Sequence, residues 1–234
     1  MRRRTPADQP RPLEAVIFDL DGVITDTAAF HERGWQRLAD EQGWAFDSTL
    51  ADELRGVSRM DSLERILGVN GVTASDEQKR EWADRKNAYY VDALSDLSPD
   101  DLLPGALELV LACKEAGLKV AIGSSSKNAA MVLERLGIAE QFAAVSDGHS
   151  VERAKPAPDL FLHAAQQIAT PPERCAVLED AASGVDAALA AGMVAVGIGP
   201  DDRVGHGHHR FDAVGDVDLE ELLRAPAGRT ELGP

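Results

Sequence analysis

The sequence predicts an α/β protein: a parallel sheet covered by helices, with a wholly helical segment inserted after the first strand. Three observations predict it. The run Ala15-Val-Ile-Phe18 is apolar without alternation, as in strands buried on both faces, and it stops abruptly at Asp19-Leu-Asp21-Gly22. From about residue 105 onward, short apolar runs alternate with helical patterns, the signature of parallel strands joined by crossover helices. Between the two, residues 27–97 carry helical spacing alone.

Composition narrows the function. The 234 residues, 44% hydrophobic, suffice for one good-sized domain or a core with a smaller module. A net charge of −16 argues against nucleic acid and anionic membrane surfaces as partners, so an anionic small-molecule substrate must be held by locally placed cations. The two cysteines, Cys113 and Cys175, suggest neither a disulfide framework nor a zinc site and fit a reducing cytoplasm. The start, Met1 to Pro12, has basic residues with no apolar stretch behind them; it reads as a disordered tail, not a secretory signal. No run approaches the roughly 18 apolar residues of a membrane span. A monomer is expected.

The elements follow in order. Ala28 to Gln42 has helical spacing at Phe30, Trp35 and Leu38 and ends at Gly43, with His31 and Trp35 on one face. A second helix begins near Ser48 and stops at Gly56. Ser58-Arg59-Met60-Asp61 has capping-box-like spacing, which sets Arg59 on the first turn of the next helix, where free amides favour an anion. A further box, Ser75-Asp-Glu-Gln78, opens a long helix to about Leu94 that carries Lys86, Tyr89 and Tyr90. The Pro/Gly/Asp link from Ser98 to Gly105 leads back to the main domain. The division expected is therefore a tail over 1–12, a core over 13–26 and 98–234, and a helical cap over 27–97. In the core, helices are expected at 105–116, 127–136, 158–168 and 182–191, with strands at 118–123, around 142–145, 175–178 and 193–198. Phe211 to Val217 reads as a last short strand and Leu219 to Leu223 as a last helix, while Gly205-His-Gly-His-His209 reads as a solvated loop.

Chemistry is expected at the carboxyl ends of the strands, where open α/β sheets place their ligands. Asp19 sits there and is read as a nucleophile. Asp19 and Asp21 can project to one side of an extended chain, and two carboxylates ~4 Å apart repel by about 4 kcal/mol at an effective dielectric of 20, so Mg²⁺ is the expected partner. The same letters also fit a solvated Asx turn. The strand Leu118 to Gly123 runs into Ser124-Ser125-Ser126-Lys127-Asn128, which offers hydroxyls, amides and a cation to a phosphate, or simply a serine-rich helix cap. Lys155 precedes Pro156 at a rigid corner, and Cys175-Ala-Val-Leu178 ends in Glu179-Asp180, repeating the design of the first strand.

In that order, Asp19-x-Asp21-Gly22, Ser124, Lys155 and Glu179-Asp180 resemble the four motifs of the haloacid dehalogenase (HAD) superfamily of phosphotransferases, over nearly the whole chain after residue 12. The resemblance implies a Rossmann-like core, the HAD fold, with a helical cap domain inserted after the first motif. It implies that Asp19 is phosphorylated and that Asp21 is the general acid/base and a Mg²⁺ ligand through its backbone carbonyl. Ser124 and Lys155 would grip the transferring phosphoryl group, and Asp19, Glu179 and Asp180 would complete the metal site.

The cap is similar to that of the hexose-phosphate mutases in the superfamily, at Thr25-Asp26-Thr27, His31, Trp35, Gly56-Val-Ser58-Arg59, Arg85-Lys86-Asn87 and Ser126-Lys127-Asn128. That resemblance implies isomerisation of β-D-glucose 1-phosphate to D-glucose 6-phosphate, with β-glucose 1,6-bisphosphate as priming phosphodonor and intermediate. Arg59, with Lys127 and Asn128, would hold the distal phosphate, and Ser126 is expected among the phosphate-binding residues. His31 and Lys86, with Thr27 and Trp35 beside them, would couple cap closure to Asp21. A capped sugar-phosphate phosphatase, which shares the core residues but needs no distal phosphate site, is the alternative. Ala181-Ala182, Met60 and Ser125 depart from the mutase pattern.

Overall fold

The apolar runs assemble into a six-stranded sheet. Its strands are β1 (Ala15–Phe18), β2 (Lys119–Gly123), β3 (Ala144–Ser146), β4 (Cys175–Glu179), β5 (Val194–Ile198) and β6 (His209–Phe211). The spatial order is β3-β2-β1-β4-β5-β6, and every pair is parallel. These are features of a computed structural model that describes residues 13–54 and 57–224; the tail expected over 1–12 lies outside them.

Strand periodicity sorts the core into two layers. On one face Val16, Phe18, Val120, Ile122 and Leu178 pack with Val110 and Cys113 of α5 (Ala106–Glu115) and with Val132 and Leu133 of α6 (Ala129–Arg135). On the other face Ala15, Ile17, Ala121 and Val177 meet Phe161 and Ala164 of α7 (Asp159–Gln167) and Val185 and Ala188 of α8 (Ala182–Ala190). β1 shows why its run had no alternation: it is central, and all four residues are buried.

Residues 27–97 form α1 (Ala28–Gln42), α2 (Ser48–Glu53), α3 (Arg59–Val69) and α4 (Asp76–Ala93), with a 3-10 turn at Leu94–Asp96. Trp35, Leu38, Leu50, Leu63, Ile66 and Leu67 build a separate hydrophobic cluster among these helices. The far end of α4 behaves differently, since Tyr90 and Leu94 belong to the main core cluster. Ser75 and Gln78 make a full capping box, whereas Ser58 accepts from the Asp61 amide without the reciprocal bond.

Two expectations near the end of the chain are corrected. The last strand is not Phe211 to Val217 but His209–Phe211, followed by a 3-10 turn at Val214–Asp216. Pairing with β5 decides this, because His209 lies opposite Val196 and Phe211 opposite Ile198. The histidine tract is correspondingly not all loop: His209 starts β6, and His208 Nδ1 accepts the Ala195 amide at 3.0 Å. A short helix, α9 (Asp201–Val204), went unforeseen, and α10 (Leu219–Arg224) ends the described chain. Among the described residues, no helix is long and apolar enough to cross a membrane.

Candidate active site

Sheet register alone gathers the acidic motifs. Phe18 lies opposite both Ile122 and Leu178. One residue further on, Asp19 therefore stands beside Glu179, with its amide bonded to the Leu178 carbonyl at 2.9 Å. On the other side it stands beside Gly123, so Ser124 begins the adjoining loop. This is the point at which strand order runs outward in both directions from β1, where α/β sheets open a crevice.

Asp19, Glu179 and Asp180 are all buried, and one ligand atom from each lies within 4.8 Å of the others. The Lys155 ammonium joins two of them, at 2.5 Å from Asp19 Oδ1 and 2.5 Å from Glu179 Oε1. The second Glu179 oxygen accepts the Ala181 amide at 2.7 Å. Burial pushes the Asp19 carboxyl well above its usual range, against the pull of Lys155. Burial also works against the Lys155 charge, but Asp19 and Glu179 outweigh it and hold the ammonium firmly protonated. Three buried carboxylates against Lys155 and, 3.9 Å from Asp180, the guanidinium of Arg203 still leave an excess of negative charge. That donor set of hard oxygens fits a divalent cation such as Mg²⁺.

The Asp21 side chain is not in this cluster among the described residues. Two acids at the same strand end suggested a shared cation for Asp19 and Asp21; the side-chain partners of Asp19 are instead Glu179 and Asp180. The Asp21 carboxylate accepts a hydrogen bond from the hydroxyl of Thr27, which the chain brings back after the turn at Gly22. Burial raises the Asp21 carboxyl to about 7 despite the opposing charge of Lys155.

Above Asp21, α1 and α4 contribute a second buried cation. Lys86 Nζ lies 2.6 Å from His31 Nδ1 and 4.9 Å from the centre of the Trp35 ring. Burial, then the neighbouring Arg59, bring Lys86 down to about 7. Burial and the charges of Lys86 and Arg59 hold His31 well below its ordinary value, so the imidazole is neutral and Nδ1 accepts from the lysine.

A cavity of about 830 Å³ opens between the carboxyl ends of the strands and the inserted helices and is lined by Asp19, Asp21, His31, Trp35, Arg59, Lys86, Ser126, Lys127 and Asp180, among others. Arg59 Nη2 donates to Asn87 Oδ1 at 2.7 Å, and Asn128 Nδ2 donates to the same oxygen at 2.8 Å, so one amide links α3, α4 and the loop after β2. Ser124, Lys155, Glu179, Thr27 and Asn128 do not line the cavity. They stand behind those that do: Ser124, itself buried, accepts the Ser126 amide at 3.1 Å, and Ser126 in turn accepts the Asn128 amide at 3.2 Å.

Residues 13–192 match the model of the haloacid dehalogenase-like hydrolases. The chain belongs to that family. It is 43% identical over 189 residues to β-phosphoglucomutase of Bacillus subtilis, covering 80% of this chain and 84% of the relative. It is 32% identical to fructose-1-phosphate phosphatase of Escherichia coli over 78% of this chain and 95% of that one. The crystal structure of β-phosphoglucomutase from Clostridium difficile superposes with a TM-score of 0.86 at 38% identity, covering 90% of this chain and 95% of that one. The protein is thus an enzyme of the phosphotransferase type, with the fold of the haloacid dehalogenase family.

Within this family member, three features of the site went unassigned in the sequence. Asn87 follows Lys86 directly, yet its role as the shared acceptor of Arg59 and Asn128 depends on three separate segments meeting. Tyr90 lies one helical turn beyond Lys86, a spacing that could have flagged it. Gly184 is needed because a Cβ there would come within 1.8 Å of Glu179 Oε1. Gly184→Ala is expected to displace Glu179 and weaken activating metal ions by about 10–100-fold, measured as the Mg²⁺ concentration for half-maximal activity; an unchanged value would show that Glu179 does not set metal affinity.

Proposed function

We propose that the protein is a Mg²⁺-dependent β-phosphoglucomutase, converting β-D-glucose 1-phosphate to D-glucose 6-phosphate. The observation that carries this reading is the second cation site. Asp19 and Lys155 suffice for one phosphoryl group, but Arg59 faces the same cavity from the cap and is held at the start of α3 by Asn87. A hydrolase of monophosphates has no need of a guanidinium there, whereas a bisphosphate needs a donor for its other end. The identity to the Bacillus subtilis mutase supports the same conclusion.

In this mechanism Asp19 carries the phosphoryl group as an aspartyl-phosphate. The 6-hydroxyl of β-glucose 1-phosphate attacks the phosphorus, breaking its bond to Asp19, while the hydroxyl proton passes to the Asp21 carboxylate. The resulting β-glucose 1,6-bisphosphate turns over in the cavity, with Arg59 and Lys127 exchanging one phosphate for the other and Asn128 bracing Asn87 behind Arg59. Asp19 then attacks the phosphorus at C1, and Asp21 returns its proton to the departing sugar oxygen. A carboxyl near 7 is suited to both halves of that exchange. Lys155 remains on the phosphoryl oxygens, and Ser126 and the backbone beyond Ser124 cradle them. Mg²⁺ held by Asp19, Glu179, Asp180 and the Asp21 carbonyl would neutralise charge on those oxygens. Lys86 and His31 close over the sugar beside Trp35 and keep water away from Asp19.

The protein is proposed to act as a cytoplasmic monomer. Both cysteines are buried free thiols, and the large exposed apolar side chains among the described residues are scattered over five helices. The test is an anomer-resolved coupled assay with a trace of β-glucose 1,6-bisphosphate. Glucose 6-phosphate should form from the β-anomer and not from the α-anomer. Rapid phosphate release without isomerisation would instead identify a sugar-phosphate phosphatase.

A further inference from the structure

A second cavity, of about 290 Å³, also reaches Asp180. Asp180 lines both cavities, so its carboxylate stands in the wall between them. The second has room for about ten water molecules. Exposed Asp26, Asp212 and Ala213 form its mouth, and Gly22 and buried Asp180 its inner end.

The inner end is flanked by bare backbone on both sides. A Cβ on Gly22, at φ 80°, would fall 2.3 Å from Asp180 Oδ2, and one on Gly199, at φ 126°, would fall 2.8 Å from Arg203 Nη2. Glycine at these two positions is what leaves room for the carboxylate and the guanidinium.

Charge favours a cation in this space. Asp26, Asp180 and Asp212 line it against one cation, Arg203, among the described residues, although Asp212 also pairs with Arg210 outside it. Arg203 is lightly held. Its ion pair to Asp180 spans 3.9 Å, and its buried Nε has no hydrogen-bond partner among the described residues. The first cavity, by contrast, is the one the substrate fills. A cation exchanging through it would have to pass the sugar phosphate and the Arg59 and Lys127 side chains that bind it. The second cavity leads to the same carboxylate without crossing that space, and it is wide enough for an ion such as Mg²⁺ that gives up its waters reluctantly.

We propose that this second cavity is the route by which a divalent cation and its waters exchange with the metal site, separate from the cavity that takes the substrate. This rests on the reading of Asp19, Glu179 and Asp180 as the metal site.

The test uses Mn²⁺. Its release from the loaded protein is followed by rapid mixing with a chelating dye, its affinity by calorimetry, and its association rate is the release rate divided by Kd. Ala213→Trp places a large ring at the mouth. A barrier on a path slows both directions alike, so release should fall about tenfold with Kd within about twofold of wild type. Glu152→Trp adds the same ring to the lining of the first cavity and should leave release unchanged. Asp212→Lys reverses a charge at the mouth and should slow association about threefold at low ionic strength and not in about 1 M salt, which carries the test even if Ala213→Trp does not fold. Asp180→Asn separates the two readings, since it should weaken Mn²⁺ binding at least about tenfold. Unchanged affinity in Asp180→Asn would place the metal elsewhere and remove the route with it. Weakened affinity there, with wild-type exchange in Ala213→Trp and Asp212→Lys or equal slowing by Glu152→Trp, would keep the metal site and overturn the route.

Discussion

Asp19→Asn is expected to abolish phosphoryl transfer, with turnover falling at least about 10⁴-fold, as when a covalent nucleophile is removed. The substitution keeps the shape of the side chain and removes only its charge and nucleophilicity. Lys155 retains Glu179 at 2.5 Å, so the corner of the site stays tied. β1 is buried and in register with β2 and β4 irrespective of the residue that follows it, so thermal unfolding should change little. Two measurements separate chemistry from structure: the variant should fail to take up label from acetyl phosphate or the bisphosphate, and it should still bind a hexose phosphate. Residual turnover within about 100-fold of wild type would place the nucleophile elsewhere, since no other group could replace a covalent step that efficiently.

Arg59→Ala should reduce isomerisation by about 10²–10³-fold in kcat/KM, the loss expected for a charge-assisted, two-pronged contact to phosphate. Hydrolysis of a small aryl monophosphate, which cannot reach the cap, should stay within about threefold of wild type. The two activities diverge because Arg59 is tied through Asn87 to Asn128 on the distal side of the site, while Asp19 and Lys155 are unaffected. Arg59→Lys should recover only part of the loss, since an ammonium keeps the charge without the fork. Equal losses in both activities would mean that Arg59 organises the cap as a whole, and the case for a distal phosphate site would fail.

The central strand was legible because burial on both faces leaves an unbroken apolar run, and helices α3 and α4 because their capping serines lie three residues before a partner. Glu179 was legible for the same reason as Asp19: each follows or ends an apolar run that can only be a central strand. The short outer elements were not. β6 has three partly buried residues and gains its identity only from Val196 and Ile198 across the sheet, so its true bounds were not visible in local composition. Asp21 stands close enough to Asp19 for their charges to act on each other, as strand alternation suggested, but its hydrogen bond from Thr27 depends on the chain returning after Gly22 and was not visible locally.

By itself, then, the sequence determined the layered α/β architecture, the helical insertion and the residues that end each central strand, because backbone hydrogen bonding and burial act locally on runs of four or more residues. Only the tertiary structure decided what those residues do to one another. The contacts of Lys155 with Asp19 and Glu179, of Lys86 with His31 and of Asn87 with Arg59 and Asn128 bridge segments far apart in the chain. Their protonation is set by shared burial and mutual charge, quantities that exist only once the chain has closed around them.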